Sequence, residues 1–431
     1  MSDYNDKVDR RHGPREPVFC RPPHFHSVFS TPSMPTAAQR AAARHDAAPT
    51  YSRTPLHAYP YWAPRFWHGM QLGAWLRLAW ENRWAVSPSR LPIALGITAT
   101  SALNMFGSAF DDLMFRQRVR RTKLAAPPLF VLGHWRSGTT MLHELLILDE
   151  RHTYPNTYEC FVPGHFLWTE WWVPPALRWL LPATRPMDNI PAGWDRPQED
   201  EFALCNLGVP SPYLAWAFPN HGPVAEEYLD LVTLPDAERQ RWKQTLERFV
   251  KRVALARNRR IILKSPTHTA RVRTLLEIFP DARFVHIVRN PFVLFPSTIR
   301  LWSTLSQVQG LHVMDESNAW IEEQVLSTFV RMYAQFERDR ELIPPGRLAE
   351  VHFEDLVADP VREMRAIYER LELGEFDRVA PAIARFAAEH GDYRPNRYEL
   401  PPAVANRVRR KWAPYFERYG YTEQDADLVS A

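Results

Sequence analysis

The sequence predicts an α/β protein with three layers, in which helices cover both faces of a central parallel sheet. Apolar strand-like runs alternate with helical runs beyond residue 125, and strand, turn and helix recur in that order, which is typical of a parallel sheet. Hydrophobic residues make up 45% and charged residues 24% of the 431 positions. This composition supplies a core and excludes a wholly disordered or fibrous protein. No repeat with a period of 20 to 50 residues is visible.

Charge and cysteine content narrow the class of protein further. Lys and Arg number 53 against 49 Asp and Glu, and the resulting net charge of +4 is too small for this length to indicate nucleic acid as a partner. The three cysteines, Cys20, Cys160 and Cys205, form neither a disulfide framework nor a zinc pattern. A reducing compartment is the simpler interpretation, so we expect a cytoplasmic protein.

Residues 1–58 are expected to form a disordered tail. They scatter Pro, Arg, His and Ser without a sustained apolar period, and they lack the apolar stretch of a secretory signal. Residues 1–58 are therefore not expected to contribute to the hydrophobic core.

Residues 59–124 are predicted to be helical, aromatic-rich and in possible contact with a membrane. The stretch 91–110 contains no charge over twenty residues, which reaches the length of a membrane span. A proline, two glycines and several hydroxyl or amide side chains dilute its hydrophobicity. Three interpretations stay open: buried helices that pack on the main domain, an interfacial helical hairpin, or a true span. Peripheral membrane contact through residues 59–110 is thus one expectation.

The main domain is predicted to cover residues 125–431, after a basic run at 116–123 that is most simply a solvated helix face. Its first elements follow from apolar runs and turn residues. The predicted strands are 129–132, 260–263, 283–288 and 348–352, and the predicted helices include 139–148 and 269–278.

The most specific pattern follows the first of these strands. Gly133, Gly138 and the two threonines after it reproduce the frame of a P-loop, whose backbone N–H groups converge on an anion at the start of a helix. The lysine that a nucleotidase needs is replaced by Thr139, while a cation lies inside the loop as Arg136. A sulfuryl group can be transferred without magnesium by fixed cations and N–H donors. The residues of the loop that are predicted to bind the sulfuryl donor are Arg136, Ser137, Gly138, Thr139 and Thr140.

These residues resemble the sulfotransferases that use 3′-phosphoadenosine 5′-phosphosulfate (PAPS), most closely bacterial members with similar loops and more distantly the tyrosylprotein sulfotransferases. The resemblance covers roughly residues 125–360. It implies an enzyme that moves the sulfuryl group of PAPS to a hydroxyl or amine and releases adenosine 3′,5′-bisphosphate. It implies no metal.

The resemblance also assigns roles outside the loop. Arg289 at a strand end and Ser297 eight residues later match the family's 3′-phosphate element, and a guanidinium with a hydroxyl suits a phosphomonoester. Lys264, at the end of another strand, resembles the lysine near the bridging oxygen of the phosphosulfate, and Arg136 is expected to act in both binding and catalysis. A later segment has Phe353 where the family usually has Tyr.

An acceptor must lose its proton as it attacks sulfur, so a base is expected within hydrogen-bond reach. Glu159 is preferred because it follows the loop helix, where tyrosylprotein sulfotransferases carry a catalytic Glu. The acidic run of Glu199, Asp200 and Glu201 is a second candidate, although it could simply be favourable charge at a helix start. His268 is the third. The sequence leaves this choice open.

The acceptor itself is not identified by the sequence. Aromatic passages at 161–172 and 213–218 are suited to line a pocket for a small-molecule, glycan or lipid acceptor. Two other functions are weighed against a sulfotransferase. One is an atypical P-loop kinase or nucleotidase, and the other is an inactive, membrane-associated nucleotide-binding protein.

Overall fold

The core of the protein is a sheet of five parallel strands. The computed structural model describes residues 59–182, 184, 191–315, 320–389, 400–422 and 425, so the predicted tail of residues 1–58 lies outside the described residues. The strands are β1 (Leu129–Leu132), β2 (His152–Thr153), β3 (Arg260–Lys264), β4 (Arg283–Val288) and β5 (Leu348–His352). Their order across the sheet is β2-β3-β1-β4-β5, which confirms the predicted parallel α/β architecture.

The central strand β1 lies where the strand order reverses. It pairs with β3 on one side, with Val131 opposite Lys264, and with β4 on the other, with Leu132 opposite His286. In open parallel sheets, ligands bind beyond the carboxyl ends of the strands at such a reversal. The segments that follow β1, β3 and β4 therefore meet at one edge of the sheet.

Sixteen α-helices are found among the described residues. The first eight are α1 (Leu72–Glu81), α2 (Leu91–Arg121), α3 (Thr139–Ile147), α4 (Thr157–Phe161), α5 (Phe166–Thr169), α6 (Val173–Leu177), α7 (Asp200–Asn206) and α8 (Asp236–Ala256). The others are α9 (Val272–Ile278), α10 (Pro291–Gln309), α11 (Trp320–Asp339), α12 (Phe353–Ala358), α13 (Pro360–Leu371), α14 (Ala380–Glu389), α15 (Pro402–Lys411) and α16 (Ala413–Tyr419).

These helices form two layers because the strands are apolar on both faces. Leu129 and Val131 of β1 pack into a core with α3, α12, α13 and α14. Phe130 and Leu132 of the same strand point to the opposite face and pack into a larger core with α8, α10, α11 and the C-terminal helices. The three-layer prediction is confirmed.

The N-terminal helices share the larger of these cores. Ile93 and Ile97 on one face of α2 are buried, and Asn104 of the same face donates to the backbone carbonyls of His68 and Met70. The stretch Pro88–Arg121 is long and apolar enough to cross a membrane, and 22% of its most apolar window is buried. One side of α2 is thus attached along the domain, while the other side is exposed.

Candidate active site

The loop after β1 has a backbone that only glycine accommodates at two positions. Gly133 and Gly138 have φ angles of +147° and +102°, in the region that disfavours L side chains. A Cβ at Gly133 would lie 2.8 Å from the carbonyl oxygen of Ile287, and one at Gly138 would collide with the ring of Phe353. The two glycines in the sequence therefore reflect a steric requirement of the loop backbone.

Hydrogen bonds hold this loop in shape at the start of α3. The backbone N–H and the hydroxyl of Ser137 both donate to the carbonyl of His134, at 3.1 and 2.7 Å. The backbone N–H of Gly133 donates to the Thr269 hydroxyl at 2.8 Å. Thr269, which the sequence did not indicate, ties the loop to the segment after β3. A preorganised loop of this kind can bind an anion without reorganising its donors.

Arg136, Arg289 and Ser297 come together from three segments. The Arg136 Nε donates to the Ser297 hydroxyl at 2.9 Å, and the Arg289 Nη1 donates to the Arg136 carbonyl at 2.8 Å. The Arg289 guanidinium lies over the Phe353 ring, 4.0 Å from its centroid, and the Tyr415 hydroxyl accepts from the Arg289 backbone N–H at 3.0 Å. Tyr415 is a supporting residue that the sequence did not reveal, and Phe353 is the position at which the sequence departs from the family.

Lys264 ends β3 beside the same loop. Its nearly fully buried side chain donates to Glu199 Oε1 at 2.9 Å. The Tyr213 hydroxyl donates to Glu199 Oε2 at 2.6 Å. Burial lowers the pKa of His143, on α3, to about 3, and the positive charge of Lys264 acts in the same direction. The nearby imidazole is therefore neutral, and Glu199 is the direct carboxylate partner of Lys264.

A cavity adjoins the phosphate loop and this acid–cation pair. Trp135, Thr140 and Glu199 line it, and so does Glu144, which lies one helical turn after Thr140. Most of the other lining side chains are apolar or aromatic. They include Phe66, Phe161, Leu181, Phe202, Trp216, Leu301 and Leu305. The cavity thus combines an apolar wall with a few polar groups beside the loop, as small-molecule sites do.

Three of the predicted base candidates are buried behind the cavity. Asp200 Oδ2 lies 2.7 Å from Nε2 of His268, and Asp200 Oδ1 accepts from the Ser265 hydroxyl at 3.0 Å. Burial alone would raise the pKa of Asp200, but His268 and Ser265 lower it below its ordinary value. Glu201 accepts from two nitrogens of Arg271, at 2.5 and 3.0 Å. These groups form a structural network and do not line the cavity.

Glu159 is also kept away from the cavity. Thr157 and Phe161, four residues apart on α4, line the cavity, so Glu159 between them faces the opposite side of the helix. It is fully buried, accepts from the Asn156 backbone N–H, and pairs with Arg257 at 2.5 Å. Burial raises its pKa to about 7, although Arg257 opposes that shift. Of the five candidates for the base, only Glu199 lines the cavity. The role of Glu159 as base stays a prediction, and this geometry favours Glu199 over it.

The carboxyl edge of the sheet therefore carries three cations, and two acids, Glu199 and Glu144, line the adjoining cavity. Arg136, Arg289 and Lys264 follow three neighbouring strands, and Glu199 is paired with the last of them. Within the ranges that the structure describes, no group of three or more His, Cys, Asp or Glu side chains is placed to hold a metal ion. The arrangement offers an anion site next to an acid that can accept a proton.

Known proteins are similar to this chain over most of its length. The model of a family described as "Sulfotransferase family" matches residues 127–378. The omega-hydroxy-beta-dihydromenaquinone-9 sulfotransferases Stf3 of Mycobacterium bovis and Mycobacterium tuberculosis are each 43% identical over 370 residues, which is 86% of this chain and 95% of theirs. The crystal structure of sulfotransferase STF9 from Mycobacterium avium aligns with a TM-score of 0.56 at 18% identity, over 81% of this chain and 96% of that one. The latter likeness concerns the fold alone.

Proposed function

The chain belongs to the sulfotransferase family, and from that premise we propose that it moves the sulfuryl group of PAPS to a hydroxyl on an apolar acceptor. Sulfuryl transfer follows from the family, whereas the donor, the acceptor and the role of each residue are the proposal. A kinase or nucleotidase, or an inactive nucleotide-binding protein, is not favoured. The observation that carries the proposal is the wall shared by the phosphate loop, Glu199 and the apolar cavity.

The residues present suit such a donor. The 5′-phosphosulfate would be held by the backbone of the loop, with Arg136, Ser137, Gly138, Thr139 and Thr140. The 3′-phosphate would be held by Arg289 and Ser297, which both contact Arg136. A planar guanidinium supplies two parallel donors to a phosphate. This chain therefore has separate cationic groups for the two ends of one bisphosphorylated nucleotide.

The reaction at sulfur needs a base on one side and a stabilised leaving group on the other. The acceptor oxygen attacks sulfur in line, and its bond to sulfur forms as the bond from sulfur to the bridging phosphate oxygen breaks. Glu199 takes the acceptor proton, because it is the one of the five sequence-based candidates that lines the cavity and it lies next to Lys264. The electron pair of the broken bond stays on the phosphate oxygen, where Lys264 stabilises the negative charge.

For the acceptor, we propose a hydroxyl borne by a lipid-like molecule. The Stf3 relatives are named for an ω-hydroxylated menaquinone, and the wall of the present cavity is largely apolar. Such an acceptor fits a cytoplasmic enzyme that touches a membrane through part of residues 59–110. A glycan would instead require more polar groups along the wall.

Titration calorimetry tests the donor directly. Purified full-length protein should bind adenosine 3′,5′-bisphosphate at micromolar or lower concentration and ATP with magnesium far more weakly. Transfer of labelled sulfate from PAPS to an ω-hydroxylated menaquinone should then be detectable. Preference for ATP with magnesium would overturn the donor assignment. Bisphosphate binding with transfer to glycans but not to quinones would overturn the acceptor.

Arg289→Ala should weaken the binding of the bisphosphate by about 10- to 100-fold, because a charge-assisted contact to the 3′-phosphate is lost. Adenosine 5′-monophosphate lacks that phosphate, so its affinity should change little. The comparison of the two nucleotides by calorimetry separates a lost phosphate contact from a damaged loop. Equal losses for both nucleotides would remove the 3′-phosphate role from Arg289.

A further inference from the structure

The outer side of α2 is apolar along most of its length. Every exposed residue between positions 91 and 114 is apolar. Leu95, Leu103, Phe106, Phe110 and Leu113 follow one another at intervals of three to eight residues, with exposed fractions from 48% to 81%. These spacings place them on one stripe of the helix. At 1.5 Å per residue the stripe from 91 to 114 is roughly 35 Å long.

The stripe ends in a cluster of positive charge. Arg116, Arg118, Arg120, Arg121 and Lys123 are all exposed, and no acidic residue lies between positions 113 and 123. Arg116 and Arg120 continue the spacing of the apolar stripe toward the end of the helix. Basic residues beside an exposed apolar surface attract anionic lipid headgroups.

The opposite side of α2 prevents it from crossing a bilayer. Asp111 of α2 forms a buried ion pair with Arg252 of α8, at 2.8 Å. Asn104, seven residues earlier, is bonded to the backbone beside α1. A spanning position would have to break these contacts and place both polar groups in hydrocarbon, which is costly. The helix can therefore present one face to lipid while it remains attached to the domain.

A second apolar segment leads from this stripe to the cavity. Trp168 packs against Phe110 of α2, with ring centroids 5.2 Å apart, and against Trp172 at 6.1 Å. From residue 171 to 182 the chain reads WWVPPALRWLLP, with one charge, and its exposed residues include Trp171 and Trp179. Leu181 and Pro182, at the end of this segment, line the cavity.

We propose that the exposed stripe of α2 and the segment 171–182 form one docking surface for a bilayer that contains anionic phospholipid, with the cavity opening at the membrane. This surface places the cavity where a lipid-like acceptor is dissolved, so the inference rests on the proposed function and specifies its partner. Binding of a second copy of the chain to this surface is less favoured than binding to a membrane. The exposed stripe offers apolar and basic residues but no acidic residue that could pair with the basic residues of another copy.

Flotation with vesicles tests the surface without any assay of transfer. The full-length protein should float with vesicles of 30% phosphatidylglycerol in phosphatidylcholine and bind pure phosphatidylcholine more weakly. The double variant Leu103→Glu, Phe106→Glu should lose at least tenfold in vesicle affinity. Arg116→Gln with Arg120→Gln should lose about 25-fold in vesicle affinity at low salt, since each basic residue near the surface contributes about fivefold.

A matched control carries the same chemical change elsewhere. Val232→Glu with Val330→Glu also places two acids at exposed apolar positions, and this variant should float like the wild type. Trp171→Ala with Trp179→Ala tests the segment near the cavity and should weaken flotation several-fold, through lost apolar contact. Bisphosphate affinity, measured by calorimetry for every variant, should remain that of the wild type.

The outcomes separate this inference from the proposed function. The docking surface is wrong if the wild type fails to float, or if the α2 variants float as well as the wild type. Either result would count against it even when bisphosphate binding is intact. A dimer in solution that the α2 variants dissociate, without flotation, would assign the surface to a second copy. If the α2 variants float less well while Trp171→Ala with Trp179→Ala floats like the wild type, the segment 171–182 is not part of the docking surface. Absence of bisphosphate binding with normal flotation would overturn the donor assignment alone.

Discussion

Glu199→Gln is expected to lower kcat for sulfuryl transfer by roughly 10²- to 10⁴-fold, the usual contribution of a positioned base. The substitution keeps the shape of the side chain and leaves an amide that cannot accept the acceptor proton. In the variant, the amide oxygen can accept from Lys264, and the amide NH2 group can donate to the Tyr213 hydroxyl oxygen, so both neighbours keep a hydrogen-bond partner. The affinity for adenosine 3′,5′-bisphosphate should therefore stay within a few-fold of the wild type.

Glu159→Gln is the matched control, since the same change is made on the neighbouring helix α4, on the face that points away from the cavity. It removes the charge that pairs with Arg257, so a loss of thermal stability is expected, with little change in kcat at temperatures where the variant is folded. Glu144→Gln distinguishes the remaining acid on the cavity wall. A large loss of kcat in Glu144→Gln together with an active Glu199→Gln would transfer the role of base to Glu144.

The parts of the site that the sequence predicted are those that depend on local spacing. The glycine frame and the two arginines each follow an apolar strand, and parallel strands bring their carboxyl ends to one edge whatever lies between them. That is why Arg136, Arg289 and Ser297 could be grouped before their contacts were known. Strand β2 was missed because a two-residue strand leaves no apolar run to detect.

The base could not be selected in the same way, because its position depends on which side of a short helix faces the cavity. A local signal did exist for Glu159. Asn156 and Glu159 form a capping box, in which each side chain bonds the backbone N–H of the other, and the N-x-x-E spacing is the sequence signature of that motif. Glu199 carries no such signal, since its proximity to Lys264 results from tertiary packing across 65 residues.

The relation between helix α2 and its surroundings shows a different limit of sequence patterns. Twenty uncharged residues fit a buried helix, an interfacial helix and a span equally well by length. In the structure two polar side chains, Asn104 and Asp111, face the domain and give the helix an attached side and an exposed side. The apolar period alone does not contain that information, because residues of both sides are hydrophobic.

Lys264→Met should lower kcat by roughly 10²- to 10³-fold, because the leaving phosphate oxygen loses the cation that stabilises its developing charge. Methionine is apolar and of similar length, so it fits the nearly fully buried position of Lys264. Lys264→Arg restores the charge with a different shape and should recover part of the loss. Rates at saturating PAPS provide the comparison, with the midpoint of thermal unfolding as the measure of folding.

The ion pair between Lys264 and Glu199 admits a second explanation, in which Lys264 acts only by orienting the base. A double-mutant cycle separates the two. If Lys264 stabilises the leaving group while Glu199 accepts the proton, the two residues act on different bonds, and the double variant should lose approximately the product of the single losses. If Lys264 only orients Glu199, the double variant should be no slower than Glu199→Gln, because an absent base cannot be misplaced. The first result would establish separate roles for the two residues that pair at 2.9 Å. Glu199 would then act as the base, and Lys264 would stabilise the charge on the leaving group.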